Sequence, residues 1–105
     1  CPHCKCRWEG KKSVQDACGG GDFWQGSGCH RCRHTGYAGR LGIFELLIPN
    51  SELLELISQG ASLQELYKIL PKDSFTTLRC DGIEKAQLGL TTPEEVLCMT
   101  RSVAI

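Results

Sequence analysis

Cys1-Pro2-His3-Cys4 and, 24 residues further on, Cys29-His30-Arg31-Cys32 decide how the first part of this 105-residue chain can fold. A CxxC step on a tight turn points two sulfurs at one centre, and two such turns complete a tetrahedron. Zinc takes four such donors, with sulfur at about 2.3 Å. Cys1, Cys4, Cys29 and Cys32 are therefore the expected ligands of one Zn2+ ion. A site closed by four thiolates leaves no position for water, so its role is structural and not catalytic.

Other uses of these cysteines fit less well. Cys-Pro-His-Cys also suits a thiol oxidase of the thioredoxin class, but that chemistry sets the first cysteine at a helix amino-terminus after a strand. No strand is expected before Cys1, and the second CxxC would go unused. Eight cysteines would suit a disulfide framework in a secreted protein, yet no signal peptide is visible. No apolar stretch approaches the roughly 20 residues of a membrane helix. The reading is a reducing, cytosolic setting without membrane insertion. Because the chain opens on Cys1 and not on Met, it is expected to be a piece of a longer protein.

Outward from the cysteines, the sequence from Cys1 to about Gly42 is rich in turns and poor in core formers. Trp8, Val14, Phe23, Trp24 and Tyr37 are nearly all the large apolar residues there. Below about 40 residues a fold usually needs a metal or cross-links. A structural zinc contributes roughly 10–16 kcal/mol in finger peptides, more than so small a core can supply. The metal holds this part together.

Gly42-Ile43-Phe44-Glu45-Leu46-Leu47-Ile48 then reads as a strand, closed by Pro49. Four short helices are expected after it. Ser51 caps the first and Gly60 ends it; Ser62 and Glu65 form a capping box for the second, which Pro71 stops. The third begins near Ser74, with Phe75, Leu78, Ile83 and Ala86 on one stripe, and ends at Gly89. Thr92-Pro93-Glu94-Glu95 opens the last. The expected fold is a small α+β protein: a tetracysteine zinc-binding subdomain over residues 1–48, and a helical subdomain over 49–105.

The other cysteines and the histidines carry weaker signals. Cys6 and Cys18 could replace a ligand or hold a second ion. Cys80 and Cys98 fall on expected helices and read as small buried hydrophobes. His3, His30 and His34 stand beside the thiolates, either donating to them or simply solvated.

Formal net charge is zero, but residues 1–40 carry +4 and residues 41–105 carry −4. Four thiolates on a divalent ion add −2 to the first part, so its basic surplus offsets the cluster as much as it marks a polyanion site. A nucleic-acid-binding zinc ribbon is the alternative function, suggested by Arg31, Arg33, Arg40 and two tryptophans; the balanced total charge and the acidic helices oppose it. A chaperone-type zinc module would want further CxxCxGxG copies. No GxxxxGK[ST], HExxH or GxSxG occurs, and Gly19-Gly20-Gly21 lacks the Lys-Ser/Thr of a phosphate loop. No catalytic residue is assigned.

The block Gly28-Cys29-His30-Arg31-Cys32-Arg33-His34-Thr35-Gly36-Tyr37-Ala38-Gly39-Arg40-Leu41-Gly42-Ile43-Phe44-Glu45-Leu46-Leu47 resembles the carboxy-terminal region of the type II secretion and type IV pilus assembly ATPases. Its pattern is GCxxCxxTGYxGRxGIxELL. Cys1-Pro2-His3-Cys4 matches the first half of that family's tetracysteine motif, and Thr77–Ile83 with Gly89–Val96 resemble its closing helices. The resemblance implies Cys1, Cys4, Cys29 and Cys32 as zinc ligands, tight turns at Gly36, Gly39 and Gly42, and a packing or inter-subunit contact at Arg40. It also implies a hexameric cytoplasmic ATPase working an inner-membrane platform, with ATP and Mg2+ bound upstream of this chain. The implied partners are that ATPase core, neighbouring subunits and the platform proteins. Cys6, Cys18 and Phe23-Trp24 lie outside the family pattern.

Overall fold

The computed structural model describes residues 1–70 and 75–100. Its elements are β1 (Lys5–Arg7), α1 (Lys12–Ala17), β2 (Trp24–Gly26), α2 (Ser51–Ser58), α3 (Leu63–Ile69), α4 (Leu78–Gln87) and α5 (Pro93–Thr100). This is a small α+β fold. β1 and β2 pair antiparallel with Lys5 opposite Gly26 and Arg7 opposite Trp24, which brings Cys4 and the residues after Gly26 side by side.

Helix ends follow local chemistry. The Asn50 side chain accepts from the Leu53 N–H, so Asn50 caps α2 where Ser51 was expected; both offer a side-chain oxygen, one residue apart. Ser62 and Glu65 form the expected capping box on α3. Thr77 caps α4 through the Cys80 N–H, and Thr92 caps α5 through the Glu95 N–H. Gly60 and Gly89, at φ 74° and 79°, turn the chain left-handed so that the last carbonyls of α2 and α4 find donors. The expected start at Ser74 and stop at Pro71 lie outside the described residues.

The core draws on both parts of the chain. Cys18, Phe23, Ala86 and Val96 are buried together, with Trp8, Ile83 and Leu97 packed against them. Phe23 meets Trp8 edge-on, ring centroids 5.8 Å apart. Gly82 lets α4 approach α5: a Cβ there would stand 2.7 Å from Val96 Cγ1. Polar ties cross the same seam, from Trp8 Nε1 to Glu94 (2.7 Å) and from Lys5 Nζ to the Gly89 carbonyl (3.3 Å). Cys18 is thus a core residue. Cys80 and Cys98, expected inside, are exposed instead. The faces of α4 and α5 that meet the core are those of Ala86 and Val96, and they turn both cysteines outward.

Gly42–Ile48, expected as a strand, joins no sheet among the described residues. A strand needs a neighbour for its backbone groups, and α4 supplies side chains instead. Asp81 accepts from the Phe44 N–H (2.8 Å) and pairs with Lys85 (2.7 Å), whose ammonium also donates to the Gly42 carbonyl (2.8 Å). The Lys85 ammonium hydrogen bond, with the Phe44 N–H adding to it, holds the Asp81 carboxyl below its usual range. A depressed carboxyl stabilises the fold above its unfolded pKa, so this contribution is complete at neutral pH and is lost only as acid protonates Asp81. Asp81→Asn is expected to cost about 1–2 kcal/mol at pH 7 and to speed Phe44 amide exchange roughly tenfold, read by hydrogen exchange. Unchanged exchange at Phe44 would show that Asp81 does not pin this segment.

Candidate metal centre

Two tight turns build the site. The β1–β2 ladder ends beside it: the Ser27 N–H donates to the Cys4 carbonyl (3.1 Å), continuing the pairing one step toward Cys29. After Cys32 the chain curls back on itself, with the His34 N–H on the Cys29 carbonyl (2.8 Å) and the Thr35 N–H on the Cys32 carbonyl (3.2 Å). Arg33 and His34 adopt left-handed φ values of 57° and 62° to make this curl. The Cys1 nitrogen donates to the Gly36 carbonyl (2.7 Å), tying the first turn to the second.

These contacts bring the Sγ atoms of Cys1, Cys4, Cys29 and Cys32 within 4.8 Å of one another. Cys1 to Cys29 and Cys4 to Cys32 are each 3.8 Å, and Cys29 to Cys32 is 3.7 Å. A tetrahedron of sulfurs about 2.3 Å from its centre has an edge of about 3.8 Å. A disulfide would need about 2.05 Å. The four sulfurs are spaced for a metal ion.

The surroundings favour the thiolate of Cys32. Burial opposes ionisation of Cys32, but the backbone N–H groups of Cys29 (3.3 Å) and Gly36 (3.2 Å) aim at its sulfur and outweigh it, lowering its pKa to about 6. Cys4 moves the other way: burial raises it, and the neighbouring Cys32 and Cys29 add to the rise. A cation at the centre of the cluster would favour the thiolate of both. Gly36 is the close-approach point. It sits at φ 82°, and a Cβ there would stand 2.6 Å from the Gly26 carbonyl oxygen. Gly39 is also left-handed, at 69°, whereas Gly42 is not.

Cys6 lies on β1 and Cys18 in the core, and neither belongs to the sulfur cluster. His3, His30 and His34 are exposed; the His3 Nε2 faces Arg31 Nη1 at 3.2 Å, so the donors to sulfur are backbone amides. Sequence reasoning missed those amides, whose signal is the turn-forming Gly36 after Cys32. Arg40 is exposed and has no carboxylate partner among the described residues. Tyr37, from the family block, reaches Thr92 at the cap of α5, its hydroxyl 2.7 Å from Oγ1.

Known proteins are similar to this sequence. The chain is 38% identical over 95% of its length to the type IV pilus assembly ATPase PilB of Thermus thermophilus. It is 34% identical over 96% to the type II secretion system ATPase E of Vibrio cholerae, and 37% over 95% to the type II secretion system protein E of Klebsiella pneumoniae. It spans 12%, 21% and 20% of those relatives, so it corresponds to a part of each. Residues 1–98 match the family described as type II/IV secretion system protein, and this chain belongs to that family.

Proposed function

We propose that this chain is the zinc-braced carboxy-terminal module of a type II secretion or type IV pilus assembly ATPase. Cys1, Cys4, Cys29 and Cys32 hold one structural Zn2+, and the module braces the ATPase core and offers surfaces to neighbouring subunits of a hexamer and to inner-membrane platform proteins. ATP and Mg2+ are handled in the rest of the parent protein. Residues 1–48 form the metal subdomain and residues 49–105 the helical one. The setting is the cytoplasm, peripheral to the inner membrane. No helix among the described residues is long and apolar enough to cross a membrane.

The observation that carries this reading is the convergence of four sulfurs within 4.8 Å, three of whose separations, at 3.7–3.8 Å, equal the edge of a zinc tetrathiolate. Native mass spectrometry is expected to show one zinc per chain. Chelation should remove it and loosen the packing of Trp8 against Phe23, read by tryptophan fluorescence. A reduced, folded chain that carries no zinc when purified without chelator would sink the proposal.

A further inference from the structure

Arg33 and His34 hold left-handed backbone, at φ 57° and 62°, whereas every other left-handed position among the described residues is a glycine. A Cβ is disfavoured in that conformation, and residues kept there gather at binding and catalytic sites. Neither side chain packs inward: both are exposed, as are His3, His30 and Arg31 on the two CxxC turns. Arg31 Nη1 donates to His3 Nε2 at 3.2 Å, which ties the outer edges of those turns together. Among the described residues no arginine or histidine side chain reaches a sulfur, where the donors are the Cys29 and Gly36 amides. Arg31 and Arg33 likewise meet no carboxylate there. From Phe23 to Phe44 the sequence has three arginines and two histidines but no lysine, aspartate or glutamate. The cage thus carries a cationic rim that the fold does not use.

We propose that this rim, built from His3, His30, Arg31, Arg33 and His34, is the docking surface for an acidic segment of a partner protein. This rests on the proposed function and locates one of its interaction surfaces. Composition selects the partner. Arginine is enriched and lysine depleted at protein interfaces, and a guanidinium meets a carboxylate with two parallel hydrogen bonds. A lipid surface is held by the number of basic residues, each adding about fivefold, so two arginines hold it weakly. A nucleic acid wants a longer basic track than these turns offer. A second copy has much of its acid already engaged: Glu45 by Leu78, Glu65 by Ser62, Asp81 by Lys85 and Glu94 by Trp8. Residues 30, 31, 33 and 34 are also the positions that GCxxCxxTGYxGR leaves open. The rim can therefore change without disturbing the cage, as the choice of one partner over another requires.

The test places a photocrosslinking benzoylphenylalanine at position 30 of the full-length polypeptide from the same reading frame, irradiated in the cells that make it. Mass spectrometry of the adduct should identify a protein segment whose Asp and Glu outnumber its Lys and Arg. Arg31→Glu with Arg33→Glu should lower the crosslink yield at least about tenfold, and exchanging the segment's acids for lysine should restore it. Arg33→Gly separates docking from folding, because glycine suits φ 57°. It should cut the yield about fivefold or more while zinc retention against a chelator stays as in the parent. Loss of zinc from Arg33→Gly would make Arg33 a structural residue and overturn the inference. Adducts with lipid, nucleic acid or a second copy, or no adduct, in a protein that holds zinc also overturn it and leave the proposed function standing. An acidic segment from a protein outside any secretion or pilus machinery, with the charge exchange intact, supports the rim and counts against the proposed function.

Discussion

Cys29→Ser is expected to weaken zinc binding about a hundredfold to a thousandfold. If four ligands share roughly 10–16 kcal/mol, removing one loses about 2.5–4 kcal/mol. Serine keeps the size but offers a hydroxyl that does not ionise at neutral pH. Cys29 also touches two of the other sulfurs, Cys1 at 3.8 Å and Cys32 at 3.7 Å, so its loss opens the cage from the middle. Competition against a chromophoric chelator measures the change. Cys98→Ser, at an exposed position on α5, serves as the control and should bind as the parent does. Equal affinity in the two variants would remove Cys29 from the ligand set.

Phe23→Ala is the second large effect. Phe23 is 2% exposed, wedged between Trp8 and the buried side chains of Cys18, Ala86 and Val96. Truncating a buried phenylalanine costs about 3–5 kcal/mol, a large share of the roughly 5–15 kcal/mol that a domain has. The melting temperature of the zinc-loaded chain should fall by at least about 12 °C. Leu88→Ala, at a position 67% exposed, should shift it by a few degrees at most. Similar melting of the two variants would mean that the contacts around Phe23 do not hold the metal lobe against α4 and α5.

The candidate site was readable because it depends on local spacing. Two CxxC steps are short enough that their turns alone decide where the sulfurs point, and the four expected cysteines do converge. The helices of the second part were readable for a similar reason, since Ser62, Glu65, Gly60, Gly89 and Thr92 act within a turn of themselves. What escaped depends on distant neighbours. Cys18 could be a ligand or a core residue, and only the approach of Ala86 and Val96 decides it. Cys80 and Cys98 sit on helices, but which face of a helix is inner depends on what lies against it. Helix α1 begins at Lys12 without any side-chain cap, so no local signature announces it. The strand-like Gly42–Ile48 was legible as a composition, whereas pairing is a property of two segments.

One hydroxyl joins distant parts of the molecule. Thr92 Oγ1 caps the last helix through the Glu95 amide and at the same time meets the phenol of Tyr37, one residue past the glycine that donates to Cys32. Fraying at the start of that helix and slackening of the sulfur cage therefore share a bond. If a metal ion fills the cage, thermodynamic reciprocity makes any gain in its affinity from clamping the closing helix equal to the steadying of that helix by the ion.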